Sequence, residues 1–105
     1  MDIKQLCDEA TEVARANGWG DQEHDGPRNI ALMHSELSEA LEAMRHPDRC
    51  DDHMPELDPV GVELADTLIR IAHYCGANGI DLQRCVAEKM AYNRSRGFRH
   101  GGKAF

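Results

Sequence analysis

Aromatic residues are scarce in this chain: Trp, Tyr and Phe together supply 5% of its 105 positions, so any core has few large side chains to bury. A domain of this size is marginal with such a core, and self-association is expected to supply further apolar burial. No apolar run approaches the roughly 20 residues needed to cross a bilayer. The stretch MDIKQLCDEA has neither the basic nor the apolar segment of a secretory leader. Neither a membrane span nor a secretory route is therefore expected. Cys7, Cys50, Cys75 and Cys85 include no CxxC pair. Three of them fall in apolar helical patterns, where a reduced thiol behaves as a small hydrophobe, and the expected location is the cytoplasm. Sustained strand alternation, fixed-period repeats and low-complexity segments are all absent.

Basic charge is limited too, and its position is informative. The net charge is −7. From Arg84 to Phe105 six basic residues stand against Glu88 alone, a local charge of +5, whereas the remaining chain has six basic and eighteen acidic residues, or −12. General nucleic-acid binding needs a broad basic surface and is disfavoured. A compact basic end suits a single polyphosphate better.

What the chain does contain is helical periodicity. Ile3, Leu6, Cys7, Ala10, Val13 and Ala14 recur at helix spacing over 2–17, with Asp2 and Gln5 as a capping box and Gly18 as the stop. Pro27 opens a second helix over 27–46, with Ile30, Met33, Leu37, Leu41 and Met44 in one stripe and Pro47 beyond it. Asp58-Pro59 starts a third over 59–78, carrying Val60, Leu64, Leu68, Ile71 and Cys75. Asp81 caps a fourth over 82–96, whose Leu82, Cys85, Val86 and Met90 are expected to pack inward; a flexible basic tail follows over 97–105. The expected fold is a single all-α domain over 1–105, an antiparallel four-helix bundle.

The second and third helices each carry a carboxylate pair at i, i+3: Glu36 with Glu39, and Glu63 with Asp66. Residues at that spacing share a helix face. If the two apolar stripes pack together, four carboxylates meet at one cleft edge, which is tolerable mainly around a hard cation such as Mg²⁺ or Mn²⁺. The competing reading is ordinary solvated helix charge. On the fourth helix Lys89, Asn93 and Arg96 fall at i, i+4 and i+7, followed by Lys103 in a glycine-rich tail. Such groups can clamp phosphoryl oxygens, or merely balance a helix dipole.

The E-x-x-E pair, the spacer, the E-x-x-D pair and the ending KMAYNRSRGFRHGGK together resemble the MazG-like, all-α nucleoside triphosphate pyrophosphohydrolases over about 29–103. The resemblance implies a homodimer or homotetramer, Mg²⁺ dependence with Mn²⁺ as a substitute, and cleavage of a nucleoside triphosphate to monophosphate and pyrophosphate. Glu36, Glu39, Glu63 and Asp66 would then hold the metal, with Glu36 or Glu39 assisting deprotonation of water. Lys89, Asn93, Arg96 and Lys103 would bind phosphate. Ser35 stands where dimeric dUTPase relatives often have a further acid, which weakens a dUTP-specific reading. Substrate alternatives are phosphoribosyl-ATP and dUTP or dCTP; a helical nucleotide-binding module without turnover is the rival of another class.

Further residues are candidates for the same chemistry. Trp19 in Gly18-Trp19-Gly20 either stacks on a nucleobase or closes the bundle end, and Tyr74, on the Glu63 side of its helix, is the second base-contact candidate. His46, Cys50 and His53 share an acidic loop but match no closed zinc frame. His24-Asp25 lacks the upstream metal-binding His of an HD phosphohydrolase. His34 and His73 read as surface or interface residues, because carboxylates suffice for Mg²⁺.

Overall fold

The computed structural model describes residues 1–19 and 25–104, His100 by its backbone alone. It is all-helical among the described residues: α1 (Ile3–Ala16), α2 (Gly26–Arg45), α3 (Pro59–Ala77), α4 (Leu82–Ser95) and one turn, α5 (Arg99–Gly102). His24 of the His24-Asp25 pair lies outside the described residues.

Local chemistry sets the helix ends. Asp2 accepts from Gln5 N at 2.7 Å while the Gln5 side chain accepts from Asp2 N at 2.7 Å, closing the expected capping box. Asp58 accepts from Val60 N at 3.0 Å and Asp81 from Arg84 N at 3.1 Å. The cap of α2 is Asp25, which accepts from Arg28 N at 3.2 Å and places Pro27 within the first turn. Gly18, at φ +85°, ends α1. Its N–H donates to Arg15 O and that of Trp19 to Ala14 O, so α1 stops in a Schellman motif that fixes the backbone of Trp19. The tail is not irregular throughout: at α5, Arg99, Gly101 and Gly102 have positive φ and Lys103 N donates to Arg99 O at 2.8 Å.

Packing departs from the expected four-helix bundle. α3 is central and packs against both α1 and α2, whereas α4 docks lightly on α1, helped by Lys4 N donating to Gln83 Oε1 at 3.0 Å. The Cα radius of gyration is 16.2 Å, against about 13 Å for a compact domain of this length. The core between α1 and α3 consists of small residues, Cys7, Ala10, Ala72 and Cys75, flanked by Ile3, Leu6, Ile71 and Leu82. The apolar stripes expected to pack inward are only half covered: Leu41 is 53% exposed, Leu68 51% and Met90 54%. On α4 the shortfall is largest: of Leu82, Cys85, Val86 and Met90 only Leu82 is partly buried.

The small core permits a close approach. A Cβ on Gly76 would meet Thr11 Oγ1 and would lie 2.7 Å from Cys7 O. Thr11 Oγ1 already donates to that carbonyl at 2.7 Å. Gly76→Ala therefore has to push α1 and α3 apart, and thermal denaturation should show a loss of about 1–3 kcal/mol. Gly61→Ala is the internal control, since its Cβ would make only an ordinary 3.6 Å contact with Asp58 Cβ. It should gain up to about 1 kcal/mol of helix propensity.

Candidate functional site

The face shared by α2 and α3 brings Glu36, Glu63 and Asp66 together: one carboxylate oxygen of each lies within 4.8 Å of the others. This is the sole such group of His, Cys, Asp or Glu side chains among the described residues. Helix periodicity explains it. Glu36 lies one turn before buried Ala40, whose small side chain lets α2 approach α3, and Glu63 and Asp66 are neighbours on the facing helix. Glu39 is exposed and outside the trio, yet its charge still acts on Glu63. Ser35 adds no ligand, its hydroxyl donating back to Leu32 O at 2.6 Å.

The cluster is under electrostatic stress. Partial burial comes first in pushing the Glu63 carboxyl above its ordinary range, followed by the charges of Asp66, Glu36, Glu39 and Asp51. Asp66 is raised by partial burial and by Glu36 and Asp51, and is drawn back down by Arg70. A carboxyl raised in the folded state contributes stability below its unfolded value, and that contribution is lost as pH rises through the folded one. The ordinary values here are 4.5 for Glu63 and 3.8 for Asp66. Glu63→Gln should accordingly melt above the parent protein at pH 7 in chelator, an advantage that fades as pH falls through the raised Glu63 value and is gone below the ordinary 4.5. Equal melting temperatures across that range would remove the repulsion.

Glu36 and Asp66 also form part of the wall of a cavity of about 820 Å³ between α1, α2 and α3. The cavity is lined by apolar Leu6, Val13, Leu32 and Ile69, with Trp19 contributing from the end of α1 and Arg28, Asn29, Arg70 and His73 supplying polar groups. Arg70 Nε donates to Glu36 Oε1 at 2.9 Å. The Nε2 atom of His73 is buried and has no hydrogen-bond partner among the described residues. The lining is therefore mixed, with apolar side chains from all three helices and the charged groups of Glu36, Asp66, Arg28 and Arg70.

Other expectations fare differently. Trp19 reaches the cavity, but Tyr74 does not line it: its hydroxyl would lie 3.1 Å from a Cβ on Gly26, against the first turn of α2. Lys89 and Arg96 both stand over the Tyr92 ring, at 5.1 and 5.5 Å from its centroid. Among the described residues, however, none from α4 or the tail lines the cavity, and within one chain Lys89, Asn93, Arg96 and Lys103 are not brought to the carboxylates. The reason is the light docking of α4 on α1. His46 bonds Glu42 at 2.7 Å, and with Cys50 and His53 it forms no cluster of ligand atoms. Nor does His34 line the cavity.

Asp51, Arg70 and His73 join the functional candidates on the strength of the fold, none of them having been expected at the site. Asp66, Arg70 and His73 stand at i, i+4 and i+7, a spacing that the sequence alone displays. Asp51 has no such signal, because the loop between α2 and α3 places it, with its carboxylate accepting from His53 N and Met54 N at 2.9 Å each. Comparison of the chain with protein-family models, curated proteins and solved structures gives no match.

Proposed function

We propose that this protein is a divalent-cation-dependent nucleoside triphosphate pyrophosphohydrolase, cleaving its substrate to the monophosphate and pyrophosphate and clearing unwanted nucleotides from the cytoplasm. The observation that carries the reading is the convergence of Glu36, Glu63 and Asp66 beside a cavity large enough for a nucleoside, with Glu36 and Asp66 in its lining. The donor set is all oxygen, as Mg²⁺ or Mn²⁺ prefers, and the mutual repulsion among the three is what a bound cation would relieve.

Glu36, Glu63 and Asp66 would hold the cation. When bound, it would neutralise the triphosphate and orient a water for in-line attack. Glu39, exposed beside the trio and free of a ligand role there, would accept the proton of that water. Trp19 would stack on the base within the cavity. With α4 standing off the cavity, a phosphate role for Lys89, Asn93, Arg96 and Lys103 requires α4 to arrive from another copy. The half-exposed stripes of α2, α3 and α4 favour such self-association.

The test is release of pyrophosphate, as distinct from orthophosphate, from a panel of ribo- and deoxyribonucleoside triphosphates and phosphoribosyl-ATP with and without Mg²⁺. Mg²⁺-dependent pyrophosphate from at least one of them is expected, and the preferred member identifies the substrate. Tight nucleotide binding with no release would instead make this a binding module.

A further inference from the structure

Arg70 brings a cation into ion-pair contact with the carboxylate trio. It stands one turn beyond Asp66 on α3 and lines the same cavity. Its Nε–H donates to Glu36 Oε1 at 2.9 Å, with the Glu36 side chain 16% exposed and the Arg70 side chain 42% exposed. The pair is therefore open to exchange from the cavity side. Burial and Glu36 raise the carboxyl of Asp66 and Arg70 lowers it, so the guanidinium acts there as a substitute positive charge. A triphosphate seated against this wall is a polyanion. Among the described residues the other Arg or Lys lining the cavity is Arg28, because α4 contributes none.

We propose that Arg70 is a phosphate-binding residue that pairs with Glu36 until a divalent cation takes that carboxylate, and then turns its guanidinium to the phosphate chain of the substrate. The proposal rests on the pyrophosphohydrolase reading above. Two consequences distinguish it from a role in positioning Glu36. As a competitor for Glu36, Arg70 opposes the metal; as a support, it would aid it. As a phosphate ligand it offers a planar fork of donors that lysine only partly replaces.

The experiment uses Mn²⁺ alone and then inorganic pyrophosphate in Mg²⁺, each titrated calorimetrically into the full-length protein and into Arg70→Ala and Arg70→Lys. Arg70→Ala should bind Mn²⁺ about two- to fivefold more tightly, the worth of a partly exposed ion pair that need not be broken. It should bind pyrophosphate about tenfold or more weakly, with Arg70→Lys intermediate. Weaker Mn²⁺ binding by Arg70→Ala would overturn the exchange and make Arg70 a support for the metal ligand. Unchanged pyrophosphate affinity with Mn²⁺ binding intact would overturn the phosphate role alone. Failure of the parent protein to bind Mn²⁺ would overturn the metal-centre reading and the exchange with it.

Discussion

Glu36→Gln, Glu63→Gln and Asp66→Asn should each lower pyrophosphate release by about a hundredfold or more at limiting Mg²⁺ while helix content is retained. Each removes one charged oxygen donor from a group whose ligand atoms lie within 4.8 Å. Loss of such a donor acts on the transition state, where negative charge accumulates on the phosphates and the cation matters most. Glu39→Gln should fall comparably if it is the base, but its loss should leave Mn²⁺ affinity close to normal, because it lies outside the trio. Glu42→Gln is the control: on the same helix, Glu42 is engaged with His46 at 2.7 Å and Arg45 at 4.0 Å. Near-normal turnover in two of the three trio variants would sink the assignment. The stability result should run opposite to activity for Glu63, since removing a repelled charge relaxes the metal-free cluster. A merely structural carboxylate would lose stability and activity together.

Sedimentation at micromolar concentration should show a dimer or larger assembly. The largest side chains of this chain are not where a stable monomer would put them. No large side chain among the described residues is fully buried, and Leu37, Leu41, Met44, Leu64, Leu68, Val86 and Met90 are all exposed over a third or more of their surface. At about 25 cal/mol per Å², covering several such residues in an interface supplies stability that the small Cys7, Ala10, Ala72, Cys75 core does not. Leu41→Glu and Leu68→Glu should drive the protein toward the single chain and lower its melting temperature, because a charge would have to be desolvated at the interface. Their effect should diminish on dilution of the parent protein, whose stability is itself linked to concentration. A stable, active monomer unaffected by either substitution would refute this.

Much of the fold is legible in the order of residues. The capping box at Asp2 and Gln5, the Asp58 and Asp81 caps and the stop at Gly18 place helix ends within a residue or two. The carboxylate spacing on α2 and α3 likewise anticipates all three members of the candidate centre, three of the four expected carboxylates joining it. Glu39 stands outside the trio although the same i, i+3 spacing keeps Glu63 and Asp66 together: Glu36 is partly buried one turn from buried Ala40, whereas Glu39 is exposed. Tyr74 belongs to the expected helix, but to a face that meets Gly26 instead of the cavity.

Helix limits, the helix pair that carries the acids and the all-helical character of the described elements were determined by the sequence itself, through hydrogen bonds and periodicities that close within one or two turns. Tertiary structure alone decided that α3 is the central helix, that α4 stands away from the acids, that Asp51 from a loop adds its charge to theirs, and that Arg70 faces Glu36 across two helices. These depend on which small residues let which helices approach: Gly76 against Thr11 and Cys7, and Ala40 between α2 and α3. A turn of helix is selected by its own backbone, whereas a contact between residues thirty-four positions apart is selected by the packing of everything between them.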